Sequence, residues 1–166
     1  MNIIYKAAIF IHIISAIFWI GGMLFTAAVL APASRHKMLK PSKNALFSIA
    51  GKKFSRISWV LFVILILTGI LLLWSRGFGW HILTEKEFWD SAFGQTLYIK
   101  LHFFALILII SGLHDFWLGP KASSYMQPSS TKIKTSPYRK AARWVGRINL
   151  ILGLCVLYYA ITLVRG

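Results

Sequence analysis

Acidic side chains are nearly missing: four Asp and Glu stand against 19 Lys and Arg in 166 residues. Hydrolytic chemistry on paired carboxylates has little to draw on, and neither GxxxxGK[ST] nor HExxH occurs. A single cysteine, Cys155, excludes a disulfide framework. Charge of both signs is scarce, at 14% of residues, where a soluble domain carries roughly a quarter. Hydrophobic residues make up 57% of the chain, which excludes intrinsic disorder. A net charge of +15 would ordinarily raise nucleic acid as a partner. In so apolar a chain it reads instead as the positive-inside pattern of an integral membrane protein, with the lipid bilayer as surroundings and no nucleic acid.

What the chain does have is long apolar runs. Four spans are expected at about 7–31, 57–75, 97–118 and 145–164, each near the roughly 20 residues that cross about 30 Å of hydrocarbon. The first is far longer than the apolar core of a signal peptide, about 7–15 residues, and is expected to be a membrane anchor. Short connections give an all-α, up-down four-helix bundle formed by one domain over 1–166, with spans one and three on a diagonal. Gly21, Gly22, Gly69, Gly112, Gly146 and Gly153 supply the small surfaces that closely packed membrane helices need.

Basic residues crowd 33–56 (Arg35, Lys37, Lys40, Lys43, Lys52, Lys53, Arg56) and 121–143 (Lys121, Lys132, Lys134, Arg139, Lys140, Arg143). Segment 77–96 holds Lys86 with Glu85, Glu87 and Asp90. The basic segments are expected on the cytoplasmic side of a cell (inner) membrane, against anionic headgroups, with both termini external, on the periplasmic side.

Histidines inside spans are the informative residues, because ionisable groups in a membrane default to a functional role. His12 and His102 lie at similar depths from the outer ends of spans one and three. Two such imidazoles on diagonal helices suit the axial ligation of haem b in a four-helix bundle. Ser15, Ala16, Trp19, Gly22, Met23 and Thr26 share the His12 face and leave room for a flat group. The structural alternative is that each histidine merely hydrogen-bonds a neighbouring helix.

His114 sits twelve residues beyond His102, roughly 120° further around the helix. It is a candidate ligand for a second haem near the inner surface, where His36 is the nearby partner. Asp115 beside it makes proton handling or substrate binding equally reasonable. Lys100 can pair with a haem propionate or snorkel to lipid headgroups. Copper is the alternative metal: His12 and His102, joined by His81 of the outer connection, would form an imidazole site, while Met and Cys show no clustered spacing. Cys155 reads as a packing residue.

Three stretches carry a resemblance. His12 through Trp19, Gly21 and Gly22 to Phe25, ending in Ala31 and Pro32, resembles the first helix of CopD-type membrane domains. Lys53-Phe54-Ser55-Arg56-Ile57 with Leu67-Thr68-Gly69 resembles that domain's next helix. Phe93-Gly94-Gln95-Thr96-Leu97-Tyr98-Ile99-Lys100-Leu101 is similar to its "tyr/phe-gly-x-x-leu-x-x-lys-leu" segment. The same His-Trp-Gly and Lys-Leu pattern is similar to HemJ-type protoporphyrinogen oxidases, small haem-binding membrane proteins. The resemblance implies a haem b or copper-linked membrane protein with His12, Lys100 and His114 as inherited site residues; His102 belongs to neither pattern.

The expected function is therefore that of a membrane haem b protein, passing electrons or oxidising or reducing a small substrate. The alternatives are a copper-transport or copper-tolerance component and a HemJ-like oxidase. Partners open to such a protein are a small-molecule redox substrate, a quinone, a redox protein or further copies of itself.

Overall fold

The computed structural model describes residues 3–119, 121 and 137–165, with the side chains of the last helix described from 140 to 163. Four long helices dominate: α1 (Ile3–Ala33), α2 (Lys43–Ser75), α3 (Ala92–Leu118) and α4 (Pro137–Arg165). Each contains a window long and apolar enough to cross a membrane, and no strand occurs among the described residues. The fold is an all-α membrane bundle.

The helices run past the apolar spans at their basic ends. α2 has 33 residues, or about 50 Å at the usual rise, well beyond the roughly 30 Å of hydrocarbon. Its first part, outside the span expected at 57–75, is helical because Lys, Ala and Leu in this stretch favour a helix even where the lysines do not suit lipid. Charge marks the edge of the membrane, and here it does not mark the edge of the helix.

Helix ends follow local rules. α2 closes at Gly77, whose φ of +87° a side chain would resist. The Phe78 N–H donates to the Leu73 carbonyl and the Gly77 N–H to that of Trp74, a Schellman closure. Ser91 caps α3 by accepting from the Gly94 N–H at 3.0 Å. Two segments widen into π-helix, Thr26–Leu30 in α1 and His114–Leu118 in α3. Each ends two residues before a proline in the sequence, Pro32 and Pro120. Proline cannot donate to the carbonyl four residues back and crowds it, so the preceding turn opens by one residue. Accordingly the Ala31 N–H reaches back to Thr26, and the Gly119 N–H to His114.

Packing contacts join α1 to α2, α3 to α4 and α4 to α1, while side-chain hydrogen bonds join α2 to α3. The ring order places α1 and α3 across the core from each other, as the square arrangement anticipated. Trp19, Ile20, Phe62, Leu65 and Ile107 form the buried centre. Phe62 stands edge-on to Trp19 at 5.1 Å, to Trp59 at 5.7 Å and to Phe104 at 5.9 Å, the preferred offset for aromatic pairs. Gly153 admits the Trp19 ring, and Gly22 lies under Phe54, whereas Gly21 and Gly146 border open space. Asn149 donates to Ser111 across α3 and α4 at 2.8 Å, a buried polar tie of the kind membrane helices use.

Candidate functional site

The end of the bundle that holds the termini carries His12. Its side chain is half-buried and turned to α2, where Nδ1 lies 2.8 Å from the Thr68 hydroxyl. That hydroxyl donates its own proton to the Ile64 carbonyl at 2.6 Å, with a longer branch to Leu65 at 3.3 Å. Its oxygen is left to accept, so the imidazole donates from Nδ1 and keeps a lone pair on Nε2. This is the tautomer in which a histidine serves as a ligand, its other nitrogen held by an outer partner. His12 Cε1 lies 3.6 Å from the position a Cβ would take at Gly69, an ordinary van der Waals distance, so the ring's edge packs beside the glycine.

Lys100, across the core on α3, is half-buried and close enough for its ammonium to act electrostatically on His12; Arg76 at the end of α2 acts in turn on Lys100. The same end is roofed by an aromatic cluster. Phe78 stacks on Phe93 at 5.1 Å and meets Phe88 at 5.2 Å, with the Arg76 guanidinium 5.5 Å above Phe93.

His102 faces elsewhere. It is exposed on the outside of α3, donates from Nδ1 to the Tyr98 carbonyl at 2.9 Å and lies against the Tyr98 ring at 4.0 Å. Similar depth did not give a shared face: the α3 residue that is half-buried and acts electrostatically on His12 is Lys100, two positions earlier. His81 and His36 are exposed in the connections, His36 accepting a long 3.4 Å contact from the Met38 N–H. Cys155 is partly buried within α4.

At the basic end, the π-helical turn carries His114 and Asp115. His114 donates from Nδ1 to Asp115 Oδ1 at 2.8 Å. The other carboxylate oxygen accepts from the Ser55 hydroxyl at 2.5 Å and the Trp59 indole N–H at 3.1 Å, both on α2. Asp115 thus has both oxygens engaged and only 17% of its side chain exposed, against 34% for His114. The carboxylate braces α3 to α2 and fixes the ring of His114, again with the lone pair on Nε2.

Thr68, Ser55 and Trp59 were given no role in the sequence. Thr68 and Ser55 lie inside the stretches that carry the family resemblance, and for Thr68 a hydroxyl within an apolar run is the available signal. Among the described residues no three His, Cys, Asp or Glu side chains converge as a metal cluster.

Four membrane helices around an apolar, aromatic core, with an oriented intramembrane histidine at each end, define a multi-pass membrane protein with two separate polar clusters. Residues 49–163 match the family described as Copper resistance protein D. The chain belongs to that CopD family, whose description links it with copper resistance. The matched residues take in Lys100, His102 and His114 and stop short of α1, so His12 lies outside them. The chain is also similar, at 31% identity, to an uncharacterized protein of Aquifex aeolicus (strain VF5), over 95% of this chain and 94% of the relative. No solved structure matches.

Proposed function

We propose that this CopD-family protein holds a haem b at the His12 end of the bundle and works in electron transfer or in the redox chemistry of a small substrate. The observation that carries the reading is the His12–Thr68 pair: an intramembrane imidazole with Nδ1 tied and Nε2 available, packed beside a glycine. The donor set suits a haem better than a bare copper ion. A haem brings four nitrogens of its own and asks the protein for one or two axial ligands, whereas a copper ion held by protein alone needs several convergent donors. When bound, haem supplies a one-electron ferric–ferrous couple.

The protein's own residues do the rest. Thr68 holds the His12 ring, and Lys100 offers a nitrogen or a positive charge from the opposite helix, as a second ligand or as a partner for a propionate. His114, fixed by Asp115, is the corresponding candidate at the other end, for a second haem or for proton handling. With the basic segments cytoplasmic, both termini and the His12 site face the periplasmic side of the inner membrane, where an external reductant or oxidant, a quinone or a redox protein has access.

The second reading is copper transport or tolerance, favoured by the family's description. The visible spectrum of the purified protein, with iron and copper analysis, separates the two. Haem b at about one per chain, lost in His12→Ala, is the expected result. Stoichiometric copper without a haem spectrum would establish the second reading instead.

A further inference from the structure

Beyond the histidines, the basic end has a feature neither site uses. Trp117 on α3 and Trp144 on α4 are exposed at 56% and 54%, facing outward from adjacent helices. The Ser111–Asn149 hydrogen bond sets the register of that pair. Trp117 lies six residues from Ser111 and Trp144 five residues from Asn149, both towards the basic end. At about 1.5 Å per residue the two rings therefore sit within a few ångströms of the same depth. Each has a cation over its face: the Lys121 ammonium 4.4 Å from Trp117 and the Arg147 guanidinium 5.1 Å from Trp144.

The depth and chemistry fit one occupant. Tryptophan favours the boundary between hydrocarbon and headgroups, and a cation folded over it reaches the phosphate level. Of the chain's four carboxylates, Glu85, Glu87 and Asp90 lie in the opposite connection, and Asp115 is taken up by Ser55, Trp59 and His114. The basic end thus has a strong excess of positive charge, complementary to an anionic surface.

We propose that the α3–α4 face at the basic end is a binding site for an anionic phospholipid. Lys121 and Arg147 hold the phosphodiester, and the acyl chains lie along Trp117 and Trp144. This site is independent of the haem reading.

Native mass spectrometry of the full-length protein in detergent, titrated with phosphatidylglycerol or with phosphatidylcholine, tests it. Phosphatidylglycerol should be retained several-fold better than phosphatidylcholine, and Lys121→Gln with Arg147→Gln should weaken that retention about tenfold. Trp117→Phe with Trp144→Phe keeps every charge and should lower it roughly twofold to fivefold. Lys37→Gln with Lys40→Gln removes the same charge from the connection and should leave retention within about twofold. Equal losses in the two lysine- and arginine-depleted variants would overturn the site in favour of diffuse attraction, as would equal binding of the two lipids. If the Lys121/Arg147 variant loses helix content, the tryptophan pair decides: unchanged retention there rejects the proposal.

Discussion

The two ends of the bundle treat a histidine in opposite ways. At the terminal end, His12 borrows a neutral hydroxyl from the neighbouring helix and lies beside a glycine, with Lys100 acting on it electrostatically. At the basic end, His114 donates to a carboxylate in its own turn, and two donors from α2 complete that carboxylate. One arrangement holds a ring in place through a neutral partner and leaves its second nitrogen open. The other is balanced internally and ties two helices together. An oriented imidazole alone does not distinguish a binding site from a brace.

This contrast can be broken most directly at His12. His12→Ala should abolish haem retention, read from the visible spectrum and iron content, while leaving the helix content of the bundle intact; full retention would remove the site from this end. Thr68→Val keeps the shape and deletes the acceptor, and should weaken haem affinity by about 10–100-fold, as loss of an outer partner of a ligand histidine does.

At the other end the expected damage is to stability. Asp115→Asn leaves donors from α2 and His114 poorly matched and should cost about 1–3 kcal/mol in a denaturation series, with haem at His12 retained. Loss of haem with no loss of stability would reverse the roles of the two ends. Trp59→Phe removes one N–H and keeps the ring that packs against Phe62, so a smaller cost of about 1 kcal/mol is expected. His102→Ala should be the quietest change, within about 0.5 kcal/mol and without effect on the haem spectrum, because the side chain is exposed and bonded to its own helix. A spectral change there would restore the His12–His102 pairing suggested by depth.

Much of this was legible in the chain. The four apolar runs gave the spans, and the histidines at 12 and 114 stand out in the sequence as ionisable groups inside them. The lengths of the helices were less visible, since α2 continues through Lys52, Lys53 and Arg56, where a hydropathy reading stops. His102 shows the sharper failure. Depth along a span can be counted in residues, but the face a side chain presents depends on how its helix is turned against its neighbours. A rotation of two positions, about 200°, is the whole difference between Lys100 facing the core and His102 facing outward.

What the sequence by itself determined is what depends on composition and spacing along one strand of chain: an apolar, basic, four-span α-helical membrane protein, with prolines placed to open the last turns of α1 and α3. Tertiary structure alone decided the partners. Thr68 meets His12 across 56 positions, Ser55 meets Asp115 across 60, and Asn149 meets Ser111 across 38. Each of those hydrogen bonds requires two helices to be set in depth and in rotation at once. That setting comes from aromatic packing around Phe62 and from glycines that let helices approach, interactions among all four spans that no single span encodes.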